Sequence, residues 1–231
     1  MNRRALSFFL LMLTGLPSLA LAQQAPAAVN CRLTTISGSR PVEGLFYVRG
    51  EERVPLRALP LVRSGPYVYR GPQRLLLYRE GDPLPEGAVL PTPVAAVELP
   101  GKESAYLLLL SEASDGSGRI FAQALADNLT DFPAGACRFI NLTASAVNVA
   151  AALDDDVFVL KPGEIHTVPA VTADGQEEVR MRFAYQGQEG WEPFYTGRWT
   201  QRQHLRTLFL ILENPRGHFT MRRITDRPAA R

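Results

Sequence analysis

Three histidines, two cysteines, one run of aspartates and one tight group of aromatics are the residues of this chain with distinctive chemistry to offer. His166, His204 and His218 stand 38 and 14 residues apart. That is far from the i, i+4 spacing at which a helix presents two imidazoles to zinc, and no cysteine cluster accompanies them. No metal site is expected, and His166, within the alternating Ile165-His166-Thr167-Val168, belongs on the polar face of a strand. Asp154-Asp155-Asp156 has the oxygens that calcium wants, but no D-x-D-x-D-G loop follows. Aspartate is a turn residue before it is a ligand, so an acidic hairpin tip is expected there. Gly116-Ser117-Gly118 lacks the G-x-S-x-G elbow, and neither a P-loop nor a G-x-G-x-x-G is present. Paired carboxylates for glycoside hydrolysis are a matter of space rather than spacing, and nothing in the chain points to them. The expectation is no catalytic residue and no cofactor.

The aromatics are the suggestive feature. Trp191, Phe194, Tyr195 and Trp199 fall within nine residues, interleaved with Glu189, Glu192 and Arg198, and Tyr67 and Tyr69 form a smaller group. Such a surface stacks on sugar rings or anchors a partner protein, because aromatics offer large rigid area with a polar edge. The preferred reading is plainer: Trp199 and Phe194 fill a core while Trp191 covers a joint between domains. Cys31 and Cys137 are too far apart for a CxxC redox pair. Either they bridge two domains or each is a small buried hydrophobe. Asn128-Leu129-Thr130 and Asn141-Leu142-Thr143 fit the glycosylation acceptor pattern by coincidence, the second within an expected strand.

The elements that must hold these residues follow from patterning. Residues Met1 to Ala22 read as a secretory signal, with Arg3 and Arg4 ahead of the apolar Ala5 to Leu13 and Ala20-Leu21-Ala22 as the cleavage site. Gly15, Pro17 and Ser18 interrupt the run short of the ~20 apolar residues a spanning helix needs, so no transmembrane segment is expected after cleavage. The 209 residues that remain carry equal numbers of basic and acidic side chains. Zero net charge is poor ground for nucleic-acid binding, which rests on a basic footprint. The charge is unevenly placed: Arg32 to Arg79 holds nine arginines against three glutamates, Arg198 to Arg231 holds eight against Glu213 and Asp226, and the stretch between is acidic. Strands that pair opposite charge across a solvated face account for this.

The chain repeats itself. Cys31 to Ser37 matches Cys137 to Thr143 at an offset of 106, Leu75 to Tyr78 matches Arg182 to Tyr185 at 107, and Pro93-Val94 matches Pro193-Phe194 at 100. Tyr106 to Glu112 matches Thr207 to Glu213 at 101, and Ile120 to Asp127 matches Phe219 to Asp226 at 99. Five matches in one order indicate a tandem duplication. The second copy holds eight short apolar runs: 138–142, 147–152, 157–160, 165–168, 179–185, 194–199, 207–212 and 219–224. Turn residues bound them, the pattern of an all-β sandwich. Leu107–Leu110 and Leu208–Leu212 are apolar on both sides, which suits a central strand or one beneath the neighbouring domain. In the first copy, the five prolines of Asp82 to Gly101 allow one edge strand at most. The expected organisation is all-β: signal peptide 1–22, flexible leader 23–30, immunoglobulin-like sandwiches 31–130 and 137–228, and a linker 131–136 too short to let the pair swing.

At Arg138-Phe139-Ile140-Asn141-Leu142-Thr143, Leu160-Lys161-Pro162-Gly163-Glu164 and the closing hairpin to Asp226, the chain resembles bacterial secreted tandem β-sandwich domains of uncharacterised function. The two-domain exported layout is also similar to periplasmic pilus-assembly chaperones, at the level of fold alone. The chain is therefore expected to be a non-enzymatic structural or binding protein, exported to the periplasm or beyond, with an envelope protein as partner. The alternatives are a periplasmic chaperone or assembly factor using edge-strand addition, or a carbohydrate-binding module.

Overall fold

The computed structural model describes residues 28–100, 103–113, 116–143, 145, 147–169, 176–214 and 216–228. The expected signal peptide, 1–22, and the start of the expected leader, up to residue 27, lie outside the described residues.

Sixteen strands and no helix make up the described chain. The first eight are β1 (Ala28–Ser37), β2 (Val42–Arg49), β3 (Glu52–Ala58), β4 (Ser64–Pro72), β5 (Arg74–Arg79), β6 (Ala95–Glu98), β7 (Ala105–Glu112) and β8 (Ile120–Ala126). The second eight are β9 (Cys137–Leu142), β10 (Val149–Leu153), β11 (Asp156–Leu160), β12 (Ile165–Val168), β13 (Gln176–Gln186), β14 (Trp191–Arg202), β15 (Arg206–Glu213) and β16 (Phe219–Asp226). The first half forms sheets β4-β1-β7-β8 and β3-β2-β5-β6, and the second forms β12-β9-β15-β16 and β11-β10-β13-β14. Position for position these are one topology used twice, including the parallel pairings β1 with β7 and β9 with β15. The chain is two tandem β-sandwiches, and all eight strands expected in the second half are present.

The register refines the internal matches. Tyr106 pairs with Ala126 and Thr207 with Thr225, as offsets of 101 and 99 require. The offset of 107 for β5 and β13 is one residue out. It equates Leu75, which faces the core, with Arg182, which faces solvent. Since Leu75 pairs with Val97 and Met181 with Gly197, the equivalence is Leu75 with Met181, an offset of 106. A slip of one residue turns every side chain to the opposite face. The parallel pairing differs by two residues between the halves, with Arg32 against Ala105 but Arg138 against Leu208, and an even slip preserves the faces.

Two boundaries also shift. Strand β1 starts within the expected leader, because the alternation Val29, Cys31, Leu33 carries Val29 into the core at 4% exposure. The linker 131–136 is no surface tether, since Phe132 and Ala136 are both buried.

Four sheets enclose three apolar layers. One layer fills the first sandwich around Leu33, Tyr47, Leu77 and Leu108, and another fills the second around Phe139, Met181, Phe183 and Phe209. The third lies between the sandwiches: Ile36, Leu107, Leu109 and Leu125 face Ile140, Leu208, Leu210 and Ile224. This middle layer explains the leucine runs that do not alternate. β7 and β15 are central strands with a sandwich core on one face and the other sandwich on the opposite face, so both faces must be apolar.

Candidate functional site

In each sandwich, two edge strands run past one another along a seam, β6 with β8 in the first and β14 with β16 in the second. The seams are built from equivalent positions and differ in nearly all of them. In the first sandwich, Leu99 is fully buried, Ala122 and Ala124 pack on the core, and the Ile120 N–H reaches the Val94 carbonyl at 3.4 Å. The edge strand is four residues long and stops at Glu98, two residues before Pro100, whose nitrogen has no proton to offer a ladder. In the second, β14 runs for twelve residues. Trp199 stands where Leu99 does, Arg223 where Ala124 does and Thr200 where Pro100 does. A recess of about 400 Å³ opens there, lined by Arg198, Trp199, Arg202, Leu205, Arg223 and Thr225 among others. Among the described residues, the outer backbone edge of β14 pairs with no strand.

Local chemistry shapes the recess. Arg223 lies on the face of β16 that carries Met221, toward the sandwich interior, and its guanidinium sits 4.2 Å from the centre of the Trp199 ring. This is a cation on a π face. The opposite side of the indole meets Phe209 edge-on at 5.8 Å. The Trp199 indole N–H is buried without a formed hydrogen bond. Burial pushes the neighbouring Cys137 thiol up to about 12. Deeper along β14, Gly197 has no side chain because the Tyr195 ring crosses it, and a Cβ there would meet the Tyr195 hydroxyl at 2.6 Å.

The expected aromatic surface is divided by this arrangement. Phe194, Tyr195 and Trp199 turn inward against the second core. A bulge between Phe183 and Ala184 in the β13–β14 pairing lets Phe194 and Tyr195, although adjacent, both approach Phe183, at 6.0 and 5.7 Å. Trp191 alone is open, at 47% exposure. It does not cover the joint: the joint meets the far end of the same strand, where Gln201 donates to the Gly135 carbonyl. Beyond Tyr195 the exposed residues of the strand, Thr196, Arg198, Thr200 and Arg202, are polar.

The cysteines are not bonded. Each is a free, buried thiol, Cys31 in the first core and Cys137 in the second, so the cross-domain bridge is absent and the buried-hydrophobe alternative describes both. Burial pushes Cys31 up to about 11. Among the described residues, no three His, Cys, Asp or Glu side chains gather as a metal site. His166 stacks on Phe158 at 4.1 Å between centroids. Asp154 forms the hairpin tip at φ 49°, with its carboxylate accepting from the Arg180 N–H.

One constellation went unread in the sequence. Arg63 and Arg206 interlock with Asp127 and Asp226 where the sandwiches meet. Arg63 donates to Asp127 at 2.6 Å and stands 3.2 Å from Asp226. Arg206 holds Asp226 with a two-pronged contact at 2.9 and 3.0 Å and lies 3.3 Å from Asp127. Arg206 and Arg138 flank the buried Phe132 ring at 5.1 and 4.3 Å, and Arg138 donates to the Ala126 and Asp131 carbonyls. Burial pulls the Arg138 pKa down. The available signal was the match from Ile120 to Asp127, which ends on an aspartate in both copies. The two aspartates close equivalent strands and meet across the joint.

No family model matches this chain, and no curated protein matches it significantly in sequence. The chemistry of the second seam therefore has to be read from its own residues: an unpaired strand edge for backbone hydrogen bonds, beside guanidinium groups for an anion.

Proposed function

We propose that the chain is an exported, non-enzymatic binding or structural component of the bacterial cell envelope, acting through protein–protein contacts made by two immunoglobulin-like domains. The observation that carries this reading is the long edge of β14, unpaired among the described residues, beside an arginine-lined recess, at the position where the first sandwich has an edge strand of only four residues. Edge strands left bare invite pairing, and proteins normally blunt them unless pairing is their use. The middle apolar layer and the arginine–aspartate interlock support a fixed presentation of that edge. The signal at Met1 to Ala22 supports export.

The test is crosslinking of the tagged protein in its native envelope, purification under denaturing conditions and mass spectrometry of what is joined to it. One dominant protein partner is the expected result. Recovery of the bare chain overturns the reading. The twelve-residue edge also favours a narrower version, a periplasmic chaperone or assembly factor that captures a client by strand addition. Support for a carbohydrate partner is confined to Trp191, the one exposed ring of its group.

A further inference from the structure

The lining of the second seam is basic and carries no carboxylate. Arg198 has Glu178 at 3.3 Å, an exposed pair worth little in water, while Arg202 and Arg223 have no carboxylate partner among the described residues. Thr200 and Thr225 add hydroxyls, and β14 adds a row of backbone donors and acceptors with no strand beyond it among the described residues. An extended backbone is the complement of a strand edge, and a carboxylate is the complement of a guanidinium. The first sandwich is the internal control. With Glu98 in place of Arg198, Pro100 in place of Thr200 and Ala124 in place of Arg223, the first sandwich keeps a cation only at Lys102, the counterpart of Arg202, and its edge strand ends after four residues.

We infer that the seam between β14 and β16 takes an extended, acidic segment of a partner protein, which adds to the sheet beyond β14 and sets its carboxylates against Arg202 and Arg223. The inference rests on the protein-binding reading above and names the chemistry of the partner. A second copy of this chain is the weaker occupant, because it would bring two arginine-lined edges into one seam.

The probe is a phage-displayed library of random decapeptides, selected on the full mature chain. The selected peptides are expected to be enriched in Asp and Glu, to bind more weakly as salt rises, and to slow hydrogen exchange of the amides in β14. The double substitution Arg202→Gln and Arg223→Gln is expected to weaken their binding roughly tenfold or more. The exchange measurement needs no variant, so the inference stays testable if the substituted chain folds poorly. Selected peptides without acidic enrichment, or without protection of β14, overturn it. So does an empty selection, whether the chain self-associates in sedimentation velocity, which makes the occupant a second copy, or heparin binds instead, which makes it a polyanion. An envelope partner whose crosslinking survives the double substitution leaves the protein-binding reading in place and removes the seam from it. Peptide binding without any envelope partner does the reverse.

Discussion

The β6–β8 seam and the β14–β16 seam are the same place in two copies of one topology, yet one is closed and the other open. The closed seam uses aliphatic side chains and proline: Leu99 and Ala124 complete the core, and Pro91, Pro93 and Pro100 shorten the strand that would otherwise present an edge. The open seam uses a tryptophan, arginines and a threonine, and the strand runs on to Arg202. A sandwich needs its core filled at this position, and Leu99 or Trp199 can do that. It does not need an edge strand of any particular length. The fold therefore constrains the inward half of the seam and leaves the edge free to differ, which is where a second copy can acquire a use of its own.

The largest way to break the comparison is to release the frame that makes the seams comparable. Arg206→Ala leaves Asp127 and Asp226 facing a joint with one cation fewer, and losing one partner of a buried ion pair costs about 3–5 kcal/mol. Urea unfolding of the variant is expected to start earlier and to split into two transitions as the sandwiches uncouple. A single transition at the original midpoint would show that the middle layer alone holds them.

A smaller effect sharpens the difference between the seams directly. Ala124→Arg forces a long cation into the packed first seam and is expected to cost about 1–3 kcal/mol. Arg223→Ala in the open seam removes one cation from the Trp199 face and is expected to cost about 0.5–1 kcal/mol. Chemical denaturation of both variants checks this. Equal costs would mean that the two seams are packed alike.

The mildest prediction concerns the paired cysteine positions. Burial raises Cys31 to about 11 and Cys137 to about 12 in the folded chain, against a usual 9.0. Below pH 9 both states hold these protons and stability is unaffected. Above it, the unfolded chain loses protons that the folded chain keeps, so stability falls as pH rises from 9 toward 11 and 12. Tyr69, raised to about 12 by burial, adds to the fall above pH 10. Thermal unfolding across this range is expected to show the decline, with a shallower slope in the double variant Cys31→Ala, Cys137→Ala. In the native state neither thiol is expected to react appreciably with a thiol reagent at pH 8. Rapid labelling of either would contradict its place in the core.

Much of this architecture was legible in the chain. The eight runs of the second half became eight strands, because short apolar runs bounded by Asp, Gly and Pro have few other ways to bury themselves. Leu107–Leu110 and Leu208–Leu212 announced strands covered on both faces. The expected leader overlaps β1 by three residues because Ala28-Val29-Asn30 is too short a stretch to show alternation without the partner strand. The one-residue slip at β5 arose because Leu-Leu-Leu-Tyr is apolar on both parities, and only the ladder to Val97 and Ala95 reveals which leucines face inward. The candidate site was half visible. Trp199 was singled out, but Arg223 and Arg202 lay among eight arginines that read as solvated surface.

The amino-acid sequence by itself determined the strands, their turns and the doubling of the module, because those depend on side-chain alternation and local turn chemistry within some ten residues. Only the tertiary structure decided which side chains meet across sheets. It brought Asp127 to Arg206 and Arg223 over Trp199, kept Cys31 from Cys137, and gave β14 an edge of twelve residues where β6 has four. Those contacts join residues tens of positions apart, and their geometry follows from how the sheets stack rather than from any spacing along the chain.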